Sequence, residues 1–131
     1  MTVVLDSSGW IELLAGTDRA VLFAPALRAD RLIVPSIVRY EVGRYTFSHK
    51  GAEGRELALT ALSKFEQVAV DDIVADAASE LAHIHKLAMA DALVYAVAQV
   101  ADAELWTQDK HFERLPRVKF FPKSSAPSAE F

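Results

Sequence analysis

Four acidic residues stand where carboxylates can do metal chemistry: Asp6, Glu41, Asp91 and Asp109. Asp6 follows the apolar run Val3-Val4-Leu5, and Asp109 comes just past Leu105-Trp106-Thr107. Asp91 opens the apolar stretch Ala90–Ala101, and Glu41 lies one turn into a segment that starts after Pro35. Acids that close strands or open helices share the carboxyl edge of an α/β sheet, where such folds bind ligands. Without Cys or metal-spaced His, clustered carboxylates favour a hard cation held by oxygen, Mg²⁺ or Mn²⁺, over zinc. Crowded like charges raise one another's pKa, and a divalent ion resolves that conflict. Such an ion can orient a water, make it more acidic, and stabilise charge at a phosphodiester.

The elements that must position these acids are short and well punctuated. Thr2–Leu5 is a β-branched run of the kind found in a central parallel strand. Ser7 or Ser8 can cap a helix from Gly9 to Ala15, stopped at Gly16. Thr17-Asp18 opens a second helix towards Ala29, which Pro25 should kink or split. Arg31–Val34 is the second strand; Pro35 closes it, and Ser36 supplies the cap for a helix from Ile37 to about Phe47. Ser48–Gly54 has loop composition, Glu56–Lys64 is helical, and Gln67–Val70 is a third strand. Asp71-Asp72 caps a helix from Ile73 to about Lys86. Ala90–Ala101 is apolar nearly all round, as in a buried helix. A strand through Ala103–Thr107 and an edge strand Arg117–Phe121 complete the series. The order predicts a three-layer α/β/α sandwich on a short, mostly parallel sheet. One domain is expected over residues 1–121, with 122–131 a mobile tail of linker composition.

Competing roles exist for several residues. Asp6 can serve as a helix cap, and Glu41 can pair with Arg44 at i+3. His83 and His85 point about 200° apart on a helix and cannot share an ion there. His111, a neighbour of Asp109, is better placed than His49 to meet a substrate.

With 52% hydrophobic residues, much of it Ala, Val and Leu, the chain suits a sheet covered on both faces. The absence of cysteine excludes a disulfide framework, a thiolate zinc site and a Cys nucleophile, and fits a reducing cytoplasm. No apolar run approaches the ~18 residues of a spanning helix, and Met1 leads into a strand, so neither membrane segment nor signal peptide is expected. The net charge of −4 runs against the basic balance usual in nucleic-acid binders, but four carboxylates at one metal site would account for it.

The sequence resembles the PIN-domain ribonucleases, and within them the VapC-like toxins of bacterial type II toxin–antitoxin pairs. The resemblance runs from Val3 to about Phe121 on VVLDSS at 3–8, VPSIVRYEV at 34–42, ADALVYAVA at 90–98 and LWTQDKHF at 105–112. Met89 stands where many relatives carry Pro or another loop residue. The resemblance implies a Mg²⁺- or Mn²⁺-dependent endoribonuclease leaving 5′-phosphate and 3′-hydroxyl ends. By resemblance, Asp6, Glu41, Asp91 and Asp109 form the acidic quartet, with Thr107 lining the pocket and Ser7 making a similar hydroxyl contact. Asp6, Glu41 and Asp91 would hold the principal ion, and Asp109 would complete its shell through water or bind a second. Arg39, Arg44, Lys50, Lys110 and Arg114 are candidate phosphate contacts; Tyr45, Phe47 and Phe112 could stack on bases, although core packing also suits them. The resemblance also implies an RNA substrate, a cognate antitoxin and a homodimer, with the apolar residues around Trp10, Leu13, Leu14, Val21, Leu22 and Phe23 as the surface for a protein partner.

Rival readings predict other residues. A haloacid-dehalogenase-type phosphatase wants a second Asp two positions after the first, where this chain has Ser8. A receiver-like Mg²⁺-binding signalling domain wants an acidic pair after the first strand, where Asp6 stands alone, although Asp71-Asp72 comes after the third. A PIN scaffold that binds RNA or protein without cutting would have no need of four intact acids.

Overall fold

A computed structural model of the protein describes residues 1–123. The expected tail, 122–131, lies outside the described residues from 124 onward. Five strands, β1 (Thr2–Leu5), β2 (Arg31–Pro35), β3 (Glu66–Val68), β4 (Glu104–Thr107) and β5 (Val118–Phe120), pair in the order β3-β2-β1-β4-β5. Every pairing is parallel, so the sheet is wholly rather than mostly parallel. Consecutive residues Val3, Val4 and Leu5 are all fully buried, as are Ile33 and Val34, which requires cover on both faces. The fold is the expected α/β/α sandwich.

The helices are α1 (Ser7–Ala15), α2 (Ala20–Phe23), α3 (Ser36–Leu62), α4 (Asp72–His85) and α5 (Met89–Val100). Pro25 acts as expected: α2 stops after one turn and runs on as a 3₁₀ segment, Ala24–Arg28. Asp71 caps α4 by accepting from Val74 N at 3.0 Å. Two caps differ from expectation. Asp6, not a serine, caps α1, accepting from Gly9 N at 3.1 Å. Ser36 does not cap α3; its hydroxyl instead accepts from Val70 N at 3.1 Å and ties α3 to the segment after β3.

Residues 48–54, expected to form a loop, are helical on both sides of one break. Gly51 sits at φ 74°, ψ −173°, a conformation essentially restricted to glycine, and there α3 turns back on itself. The returning arm packs against the first: a Cβ at Gly43 would meet Leu59 Cδ2 at 3.4 Å, an ordinary van der Waals contact.

The strand order places a topological switch beside β1. The chain builds β2 and β3 to one side, then crosses to build β4 and β5 on the other. A crevice opens outside the carboxyl ends of β1 and β4 in such a sheet. Those are the ends that Asp6 and Asp109 follow.

Candidate active site

Asp6 is the most enclosed of the four acids, with 5% of its surface exposed. Its Oδ1 accepts from Ser8 Oγ at 2.7 Å as well as from Gly9 N. Its Oδ2 accepts from Thr107 Oγ1 at 2.5 Å and keeps a further lone pair free. Burial pushes its carboxyl pKa up, and these hydrogen bonds offset part of that rise. Its cap and site roles are therefore compatible: the same carboxylate starts α1 and faces the crevice.

Thr107, fully buried at the end of β4, also accepts the backbone N–H of Asp109 at 2.9 Å. Asp109 caps the short 3₁₀ turn Lys110–Phe112 by accepting from His111 N at 2.9 Å. That turn swings the His111 ring back across the crevice. Its Nδ1 lies 3.0 Å from Asp91 Oδ2 and 3.3 Å from Asp109 Oδ1. Asp91 stands in the first turn of α5. Burial and the nearby Asp109 push its carboxyl pKa up, with His111 offsetting part.

Glu41, half-buried on α3, forms no ion pair with Arg44 among the described residues. Burial raises its pKa, contact with the Ser7 hydroxyl lowers it, and repulsion from Asp6, Asp91 and Asp109 raises it again. The structure thus brings all four predicted acids, with Thr107 and Ser7, to one crevice.

Asp91, Asp109 and His111 each offer one ligand atom within 4.8 Å of the others. This group differs from the expected core of Asp6, Glu41 and Asp91, sharing only Asp91 with it. Oxygen donors with one imidazole, Glu41 and Asp91 carboxyls pushed up first by burial and then by neighbouring acids, and no lysine or arginine paired to them among the described residues fit a divalent cation.

Two features carry little signal in the sequence. His111 bridges two of the acids, and only its adjacency to Asp109 hinted at that. Gln108, between Thr107 and Asp109 and 5% exposed, accepts from Arg19 Nε at 2.6 Å and donates to Glu12 Oε2 at 2.7 Å, clamping the post-β4 segment to α1. Of the candidate stackers only Phe112 is core; Tyr45 and Phe47 are exposed, Tyr45 stacked on His49 with ring centroids 3.9 Å apart. Lys50 lines a different groove, between α1 and α3. In the expected apolar stripe, Trp10 and Phe23 are core, Leu13 and Leu22 pack against it, and only Leu14 and Val21 are exposed.

An acidic crevice at the switch point of a five-stranded parallel sheet defines a class of α/β protein, and the sequence assigns the family. The model of the PIN domain matches residues 3–118, and the chain belongs to that family. No curated protein sequence matches it. Among solved structures, a toxin–antitoxin complex from Klebsiella pneumoniae contains a chain 24% identical, with TM-score 0.81 over 92% of this chain and 99% of that one. VapC20 of Mycobacterium tuberculosis, described as a toxin that cleaves the sarcin–ricin loop, is 21% identical with TM-score 0.76, over 92% and 99%. VapBC2 of Rickettsia felis, bound to promoter DNA, is similar at 20% identity and TM-score 0.73, over 93% and 98%. These likenesses establish a shared fold.

Proposed function

We propose that this protein is a Mg²⁺- or Mn²⁺-dependent endoribonuclease and the toxin of a toxin–antitoxin pair. The observation that carries the reading is the convergence of Asp6, Glu41, Asp91 and Asp109 on one crevice without a lysine or arginine paired to them among the described residues. Family membership and the toxins among the structural neighbours support it.

Asp6, Glu41 and Asp91 would hold the principal cation; Asp109 would reach it through water or hold a second, on the side where Asp91, Asp109 and His111 offer ligand atoms within 4.8 Å of one another. When bound, the cation supplies a more acidic water and stabilises charge developing at phosphorus. The chain's own groups set the geometry. Thr107 fixes the Asp6 carboxylate and the Asp109 backbone to each other. The Ser7 contact steadies Glu41, and the Gln108 clamp holds the turn that carries Asp109. Water attacking in line with the departing 3′-oxygen leaves a 5′-phosphate and a 3′-hydroxyl.

The domain spans 1–121 in this reading, works in the cytoplasm and forms a homodimer; no single helix among the described residues is long and apolar enough to cross a membrane. A cognate antitoxin would lay an apolar segment in the groove of about 420 Å³ between α1 and α3, where Ile11, Leu14, Tyr45, Leu57 and Ala58 line the wall.

Incubating the purified protein with total RNA and Mg²⁺ or Mn²⁺, beside Asp6→Asn and an EDTA control, tests the reading. Cleavage confined to the wild type with metal supports it. Equal cleavage by both proteins, or none by either, overturns it; the second result leaves the silent scaffold.

A further inference from the structure

We propose that a groove on the outer side of α3 is a track for single-stranded RNA running from the acidic crevice, with Arg39, Arg44 and Arg55 on its phosphates and Tyr40 and Phe47 stacking on its bases. The proposal rests on the ribonuclease reading and specifies how the substrate is held.

The groove has a volume of about 460 Å³, and these five side chains line it. Tyr40 and Arg44 also line the adjoining hollow of about 440 Å³ that contains Glu41, so the two spaces meet along one helix. Helical spacing accounts for the continuity. Tyr40, Arg44 and Phe47 fall at i, i+4 and i+7 on one stripe, and Glu41 begins the stripe beside it. From Glu41 to Phe47 the helix rises about 9 Å.

Charge singles the groove out. The chain carries a net −4, yet three arginines gather here and form no ion pair among the described residues. Elsewhere Arg31 and Arg117 pair with Glu66 and Asp102, and Arg19, Arg28 and Arg114, which also form no ion pair among the described residues, line neither this groove nor the adjoining hollow. Arg39 donates to the neutral Gln67 at 3.2 Å, and Arg55 lies over the Phe47 ring at 6.0 Å, so the partners of these two are uncharged. Like charges held together without counter-ions point to an anionic ligand.

The aromatic residues say which anion. Tyr40 is 60% and Phe47 54% exposed, interleaved with guanidiniums rather than grouped as an apolar face. Alternating cations and open rings suit a strand whose phosphates and unpaired bases alternate, whereas a duplex hides its bases. The hinge at Gly51 builds the arrangement, because only the returning half of α3 can bring Arg55 beside Phe47.

Binding of a fluorescein-labelled single-stranded oligoribonucleotide to the full chain, by anisotropy in Ca²⁺ across a salt series, tests the track. Arg44→Ala and Arg55→Ala should each weaken binding several-fold and flatten the plot of log affinity against log salt by about 0.7. Phe47→Ala should weaken binding about fivefold or more without changing that slope, and Phe47→Tyr should restore it. Arg28→Ala, before the opposite edge of the sheet, should leave both quantities unchanged. A wild type that binds and cuts RNA while both arginine variants keep its affinity and slope overturns the track alone. So does a change in self-association, by sedimentation, with RNA affinity unaltered; the groove would then join two copies. A wild type that neither binds nor cuts RNA overturns the ribonuclease reading, and the track falls with it.

Discussion

The hydroxyl of Thr107 joins the ends of the two central strands: it donates to Asp6 Oδ2 at 2.5 Å and accepts the N–H of Asp109 at 2.9 Å. Acids 103 positions apart are thereby set against each other by one buried side chain. The parallel pairing of Leu5 with Trp106 brings the strand ends level, and the threonine locks together the residues just beyond them.

Thr107→Val keeps the shape and removes both hydrogen bonds, leaving Asp109 N and one lone pair of Asp6 without a partner. Stability should fall by about 1–3 kcal/mol by urea denaturation, and nuclease activity should fall with it. Thr107→Ser should recover most of both. If the valine variant matches wild type in activity, the threonine does not organise the site.

Asp6, Glu41 and Asp91 hold their protons more tightly folded than unfolded. Between the two sets of pKa values the folded chain carries more protons, so raising the pH lowers stability. Metal-free protein in EDTA should lose stability as pH climbs from about 4 towards neutrality, with the contribution intact below the unfolded values. Asp30 and Glu66, held low by the amino terminus and Arg31, lose their own contribution below that window. Glu41→Gln should be more stable than wild type near neutral pH and show a shallower slope; equal slopes would contradict the repulsion described.

Gly51→Ala places a Cβ on backbone at φ 74°, ψ −173°. The substitution should cost about 1–3 kcal/mol in thermal or urea unfolding. Open space surrounds the position, so a loss arises from the backbone and not from a clash. An unchanged unfolding midpoint would mean that α3 does not need this hinge.

Much of this architecture was legible in sequence because its signals are local. Apolar β-branched runs mark β1 and β2, Pro25 marks the broken second helix, and Asp71 marks the start of α4. The acids were legible because each stands near an element's end. The features that escaped depend on tertiary contact. The Gly-containing stretch 48–54 looks like a loop, yet one glycine supplies the whole turn and the residues on both sides of it stay helical. Ser36 looks like a cap until Val70 N takes its hydroxyl. His111 looks like a surface histidine until the 3₁₀ turn aims it at Asp91.

A divalent ion held by this crevice is the central claim, and calorimetric titration of the metal-free protein with Mn²⁺ tests it most directly. Wild type should show saturable binding, and Asp91→Asn should abolish it. An ion present at a hundred times its Kd should also stabilise the fold by about 2.7 kcal/mol. No saturable heat in the wild type, or an undiminished isotherm in Asp91→Asn, would contradict the claim.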